Sequence, residues 1–87
     1  MRKLLVALQF KKDLRKIPLP IKEQTDRVLA LLRKNPLDKT LNVRKLTHIK
    51  PDVWRARIGS YRLVYSFDNV SLILHRIRHR KDIYRTL

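Results

Sequence analysis

The sequence predicts an α+β domain, with an N-terminal strand and a helical hairpin packed on one face of a twisted antiparallel β-sheet of about four strands. Three observations carry that expectation. Apolar residues recur at helical spacing from Phe10 to Leu32, three runs alternate with period two from Val53 onward, and Gly59-Ser60 and Asp68-Asn69 punctuate those runs as hairpin turns. At 87 residues and 44% hydrophobic composition, the chain suits one folded domain spanning 1–87.

The opening RKLLVALQ puts Leu4, Val6 and Leu8 on one side of a short strand expected to join the sheet, though a helix also fits so short a stretch. Phe10, Leu14 and Ile17 then fall at i, i+4 and i+7, a helix halted by Pro18. Pro20 suits the first turn of a second helix, whose buried stripe is Ile21, Thr25, Val28, Leu29 and Leu32. Glu23 and Asp26 lie early and Arg33 and Lys34 late, as the helix dipole favours, and Asn35-Pro36 ends the element. Leu37 to Lys50 is irregular, with Leu41, Val43 and Leu46 as anchors.

The runs VWRARI, YRLVYSF and VSLILHRI form a meander. With two-residue turns, the core face holds Trp54, Ala56 and Ile58, then Tyr61, Leu63, Tyr65 and Phe67, then Val70, Leu72 and Leu74. The other face carries Arg55, Arg57, Arg62, Val64, Ser66, Ser71, Ile73, His75 and Ile77. This register sets Arg57 opposite Arg62, and Arg62 opposite His75. Directly opposed like charges are destabilising, and an anion held between them reverses the penalty.

Charge gives the partner class. Twenty-two Lys and Arg against seven Asp and Glu leave a formal net charge of +15, an excess that attracts polyanions. Nucleic acid leads, an acidic protein follows, and a membrane surface is not expected, because PIKEQTDRVLALLRK mixes acids with its bases. The absence of Cys excludes disulfides and thiolate metal sites. The apolar stretch of the N-terminus ends at Leu8, too short for a secretory core, and VLALL is far short of a membrane span, so a soluble cytoplasmic protein is expected. No cofactor is expected. His75 and His79 lack a convincing third metal ligand, and the surrounding cations repel metal.

Two segments also carry a resemblance. Val53-Trp54-Arg55-Ala56-Arg57-Ile58-Gly59-Ser60-Tyr61-Arg62-Leu63-Val64-Tyr65 and His79-Arg80-Lys81-Asp82-Ile83-Tyr84 are similar to the hairpin and ending of the RelE/ParE superfamily of type II toxin–antitoxin toxins. KKDLRKIP, the helix ending in Asn-Pro, and Leu46 match in type and order. Many members cleave mRNA in the ribosomal A site without a metal, the ParE branch inhibits DNA gyrase, and both kinds are silenced by an antitoxin encoded alongside. The resemblance thus implies a cognate acidic antitoxin as partner, with mRNA and the ribosome, or gyrase, as target. The further alternative is an inactive protein of the toxin fold that binds RNA without cutting it.

For the ribonuclease branch it implies Arg62 on the reacting phosphate, Arg55 and Arg57 as neighbouring cations, further charge from Arg78 or Arg80, and Tyr84 orienting RNA. Lys50 and Lys81 complete the RNA-contacting set. Val53 stands where some ribosome-dependent members have a lysine, and Arg78 where a Gly often precedes the His-Arg pair. His75 and His79 are the candidate proton carriers, since an ordinary imidazole titrates near neutral pH.

Overall fold

Two prolines divide the helical region. The computed structural model describes residues 1–46, 52–85 and 87. Strand β1 (Lys3–Val6) leads into helix α1 (Leu8–Leu14), and Pro18 is the N-cap of helix α2 (Leu19–Lys34), with Pro20 in its first turn. A 3₁₀ turn (Lys39–Leu41) and a two-residue strand β2 (Arg44–Lys45) precede the meander of β3 (Trp54–Ile58), β4 (Tyr61–Phe67) and β5 (Ser71–His79). A closing 3₁₀ turn spans Ile83–Arg85.

The sheet has five strands in the order β1-β5-β4-β3-β2, and β1 runs parallel to β5. It is therefore mixed, where an antiparallel sheet of about four strands was expected. Two residues of β2 show no alternation to read, and strand direction is a property of the path through α1 and α2. The helices cover one face. Phe10, Val28 and Leu32 pack there with Ala56, Ile58, Leu63, Tyr65, Leu72 and Leu74. Thr25 fits this buried stripe because its Oγ1 donates to the carbonyl of Ile21 at 2.7 Å. The Tyr65 hydroxyl, buried beside Pro36, donates to that residue's carbonyl.

The first hairpin follows the expected register. Gly59 takes φ +57°, and Arg57 pairs with Arg62. The second does not. Asp68 Oδ1 accepts from the backbone N–H of Val70 at 2.9 Å and of Ser71 at 2.7 Å, which lengthens the turn and pairs Phe67 with Leu72. Val70 is consequently exposed and outside the core.

A β-bulge makes the larger correction. The ladder steps from Tyr65↔Leu74 to Val64↔Arg76, leaving His75 as the extra residue. Beyond it the faces of β5 exchange. Ile77 pairs with Leu63 and is fully buried on the helix side, and Arg62 faces Arg78 instead of His75. The far face is also partly covered, since Leu46, Val53, Val64 and Ile83 form a second small core with Leu87 packed against it.

Candidate functional site

The bulge has a visible support. The last bond from the β1 side runs from Ala7 N–H to the carbonyl of Leu74, and past that point the edge of β5 is uncovered by β1. Asp13 of α1 takes over. Its Oδ2 accepts from Ile77 N–H at 3.1 Å, and its carboxylate holds the Arg76 guanidinium through Nε at 2.7 Å and Nη2 at 3.0 Å. The Asp13 carboxylate raises the pKa of Arg76 above the ordinary arginine value. Sequence reasoning missed Asp13. The available signal was its place among Phe10, Leu14 and Ile17, since an acid on a buried helix face demands a partner.

With β5 re-phased, Arg57, Arg62 and Arg78 stand abreast on three adjacent strands. On the outer side, Arg44 of β2 is opposite Arg55. The Arg62 guanidinium is drawn back over the turn, its Nη1 donating to the carbonyls of Gly59 at 3.0 Å and Tyr61 at 2.9 Å. Its Nε and Nη2 have no acceptor among the described residues, leaving a fork with one prong anchored. Partial burial, then Arg55 and Arg57, then Arg80, lower its pKa from the usual arginine value, while Tyr84 opposes the change. Arginine stays charged despite such shifts, so the cluster is a concentrated positive field. No carboxylate among the described residues is paired to it. Among the described residues the ion pairs are Arg76–Asp13 and an exposed Lys45–Asp52 contact at 3.9 Å.

The remaining candidates divide around this row. Arg80 is exposed, and its backbone N–H donates to the carbonyl of Ser60 at 2.8 Å, fixing the chain after β5 against the first turn. Tyr84 is half exposed on the closing 3₁₀ turn, which buried Ile83 pins to the sheet. Lys81 is exposed. His75 is three residues from Arg78, about 10 Å along the strand, and its Nε2 lies 2.7 Å from Ser66 Oγ. His79 pairs with Tyr61, on the helix side of the sheet and away from the row. Its Nδ1 accepts from Lys81 N–H at 3.2 Å, which sets the proton of the neutral ring on Nε2. Lys50 lies outside the described residues.

An arrangement of this kind has the charge and donor geometry that a phosphodiester requires. Guanidinium forks match phosphate geometry, and here Arg55, Arg57, Arg80 and the Tyr84 phenol lie near enough to Arg62 to act on its charge.

Comparisons with known proteins show what the whole chain is similar to. The family described as "ParE toxin of type II toxin-antitoxin system, parDE" matches residues 4–84. Toxin RelE3 of Methanocaldococcus jannaschii is 31% identical over 84 residues, covering 94% of each chain. A crystal structure of a RelB-RelE antitoxin-toxin complex from Methanococcus jannaschii superposes with a TM-score of 0.79 at 26% identity, covering 95% of this chain and 98% of that one. An archaeal RelE-RelB complex from Pyrococcus horikoshii OT3 gives 0.77 at 23% identity, over 91% and 94%, a likeness of fold.

Proposed function

This chain belongs to the ParE toxin family, within the RelE/ParE superfamily of type II toxin–antitoxin toxins, and from that membership we propose that it is a metal-free endoribonuclease that cuts mRNA with the ribosome. The observation that carries the reading is the Arg62 guanidinium, anchored on one prong and surrounded by Arg55, Arg57 and Arg80 with no carboxylate paired to it among the described residues.

In the proposed reaction the 2′-oxygen of the RNA attacks the adjacent phosphorus. The new 2′-O–P bond forms as the 5′-O–P bond breaks, leaving a 2′,3′-cyclic phosphate and a 5′-hydroxyl. The 2′-hydroxyl gives up its proton and the departing 5′-oxygen takes one up. Arg62 and Arg78 hold the non-bridging oxygens, where charge builds in the transition state. Arg55, Arg57 and Arg80 add field, and Tyr84 orients the ribose and base. Positioning and charge stabilisation carry the chemistry in this reading, because both histidines lie away from the row.

The net charge of +15 and the RelB-RelE relative support an acidic antitoxin as partner. The site of action would be the cytoplasm; among the described residues no helix is long and apolar enough to cross a membrane.

The test is a translating extract. Added protein should truncate mRNA within codons, and Arg62→Ala should abolish the cuts while the fold survives. Undiminished cutting by Arg62→Ala would remove Arg62 from the site. A second reading, gyrase inhibition without catalysis, is favoured by the ParE family match. Blocked supercoiling with intact mRNA would establish it.

A further inference from the structure

Arg78 serves two places. It stands opposite Arg62 in the arginine row, and it also lines a cavity of about 200 Å³ at the end of α1. Lys16, Tyr61, His79 and Asp82 line the same cavity, and Ile17 and Ile77 supply its apolar wall. We propose that this cavity is a second subsite, which takes a nucleotide of single-stranded RNA next to the phosphate held by the arginine row. The proposal rests on the ribonucleic-acid reading of the row, but it concerns binding and not the cut.

Its construction begins in KKDLRKIP. After Leu14 the helix tightens, with Lys16 N–H donating to the Asp13 carbonyl at 3.0 Å, and the chain turns toward Pro18. That turn buries Ile17 and leaves Lys16 exposed at the cavity. Opposite, Tyr61 and His79 meet edge to face with centroids 5.4 Å apart. The His79 ring spends Nδ1 on the Lys81 N–H, which leaves Nε2–H as a donor. Asp13 is already engaged by Arg76 and Ile77, so Asp82 is the carboxylate left to accept from a base amino group.

The lining therefore offers two cations for a phosphate, an aromatic pair for a base, and both a donor and an acceptor for base edges. Aromatic walls beside cations are how single-stranded nucleic acid is held without strong sequence preference. An acidic peptide would use the cations but leave the aromatic pair unexplained. His79, set apart from the row, acquires a role here.

The test uses the full chain and a fluorescein-labelled 2′-O-methyl RNA hexamer, which cannot supply the attacking hydroxyl. Anisotropy is followed against salt. Lys16→Ala, at an exposed position, should weaken binding about threefold to tenfold. It should also make the slope of log K against log salt shallower by about 0.7, the single-strand value for one phosphate contact. Lys16→Arg should restore both, and an abasic residue at one position of the hexamer should cost wild-type affinity. Unchanged affinity and slope in Lys16→Ala would overturn the subsite. Lys16-dependent binding by a protein that leaves mRNA whole would support the subsite and sink the ribonuclease reading. Cut mRNA with Lys16-indifferent binding would do the reverse.

Discussion

Arg78 stands directly across from Arg62 in the β4–β5 ladder, with Arg57 on the other side of Arg62. The charges of Arg55 and Arg57 act against that of Arg62, and function is the reason to tolerate the cost. Arg57→Gln should therefore raise the melting temperature at low ionic strength by about 2 °C, from a few tenths of a kcal/mol of relieved repulsion. In 0.5 M salt the difference should shrink toward zero, because screening removes what the substitution removes. Thermal unfolding at two salt concentrations checks this, and a salt-independent difference would assign the effect to something other than charge.

Asp13 is 6% exposed and meets three donors. Asp13→Ala strands the Arg76 charge and the Ile77 N–H together. The expected loss is about 3 kcal/mol or more, a large share of the roughly 5–15 kcal/mol that holds such a domain together. Asp13→Asn keeps an oxygen acceptor and should cost less. Denaturant titration decides, and a loss under about 1 kcal/mol for Asp13→Ala would mean that Arg76 finds water.

Asp68, together with Asp38, shapes the acid limb of the pH profile and Tyr65 the alkaline one. Backbone donation from Val70 and Ser71 holds the pKa of Asp68 below the ordinary carboxylate range. Its contribution is present above the unfolded value and is lost as pH falls through the lower folded one. Burial raises the pKa of the Tyr65 phenol above the ordinary tyrosine value, so its contribution is full below about pH 10 and is lost as pH rises toward the higher folded value. Stability should thus fall on both sides of a neutral plateau. Asp68→Asn, whose amide oxygen still accepts the turn N–H groups, should flatten the acid limb, and Tyr65→Phe the alkaline one. Melting temperatures from pH 2.5 to 11 measure both limbs.

Gly59 holds φ +57°, and a Cβ there would sit 3.4 Å from Ile21 Cδ1, an ordinary contact. The cost of Gly59→Ala is therefore that of the backbone, about 1 kcal/mol. Gly59→Asn should recover much of it, since asparagine tolerates this conformation. Equal losses for the two variants would point to packing against α2 instead.

The helices, their buried stripe and the first hairpin were legible because each is announced by local chemistry, a proline, a period or a glycine turn. Arg57 opposite Arg62 followed from the same logic. Arg78 opposite Arg62 did not, because the extra residue His75 re-phases every later residue of β5 and alternation counts residues without knowing which one bulges. The Asp68 side chain likewise lengthened a turn that reads as two residues. The parallel direction of β1 and the coverage of Val64 by Ile83 are tertiary facts, set by chain path and docking.

The most direct measurement is of convergence itself. A 2′-O-methyl dinucleotide with a single phosphate, titrated into the full chain, can be followed through the arginine Nε–Hε resonances. Arg57, Arg62 and Arg78 should shift along one shared isotherm, and Arg62→Ala should weaken the response of the other two. Separate isotherms for the three residues, or no shift at Arg62, would contradict it.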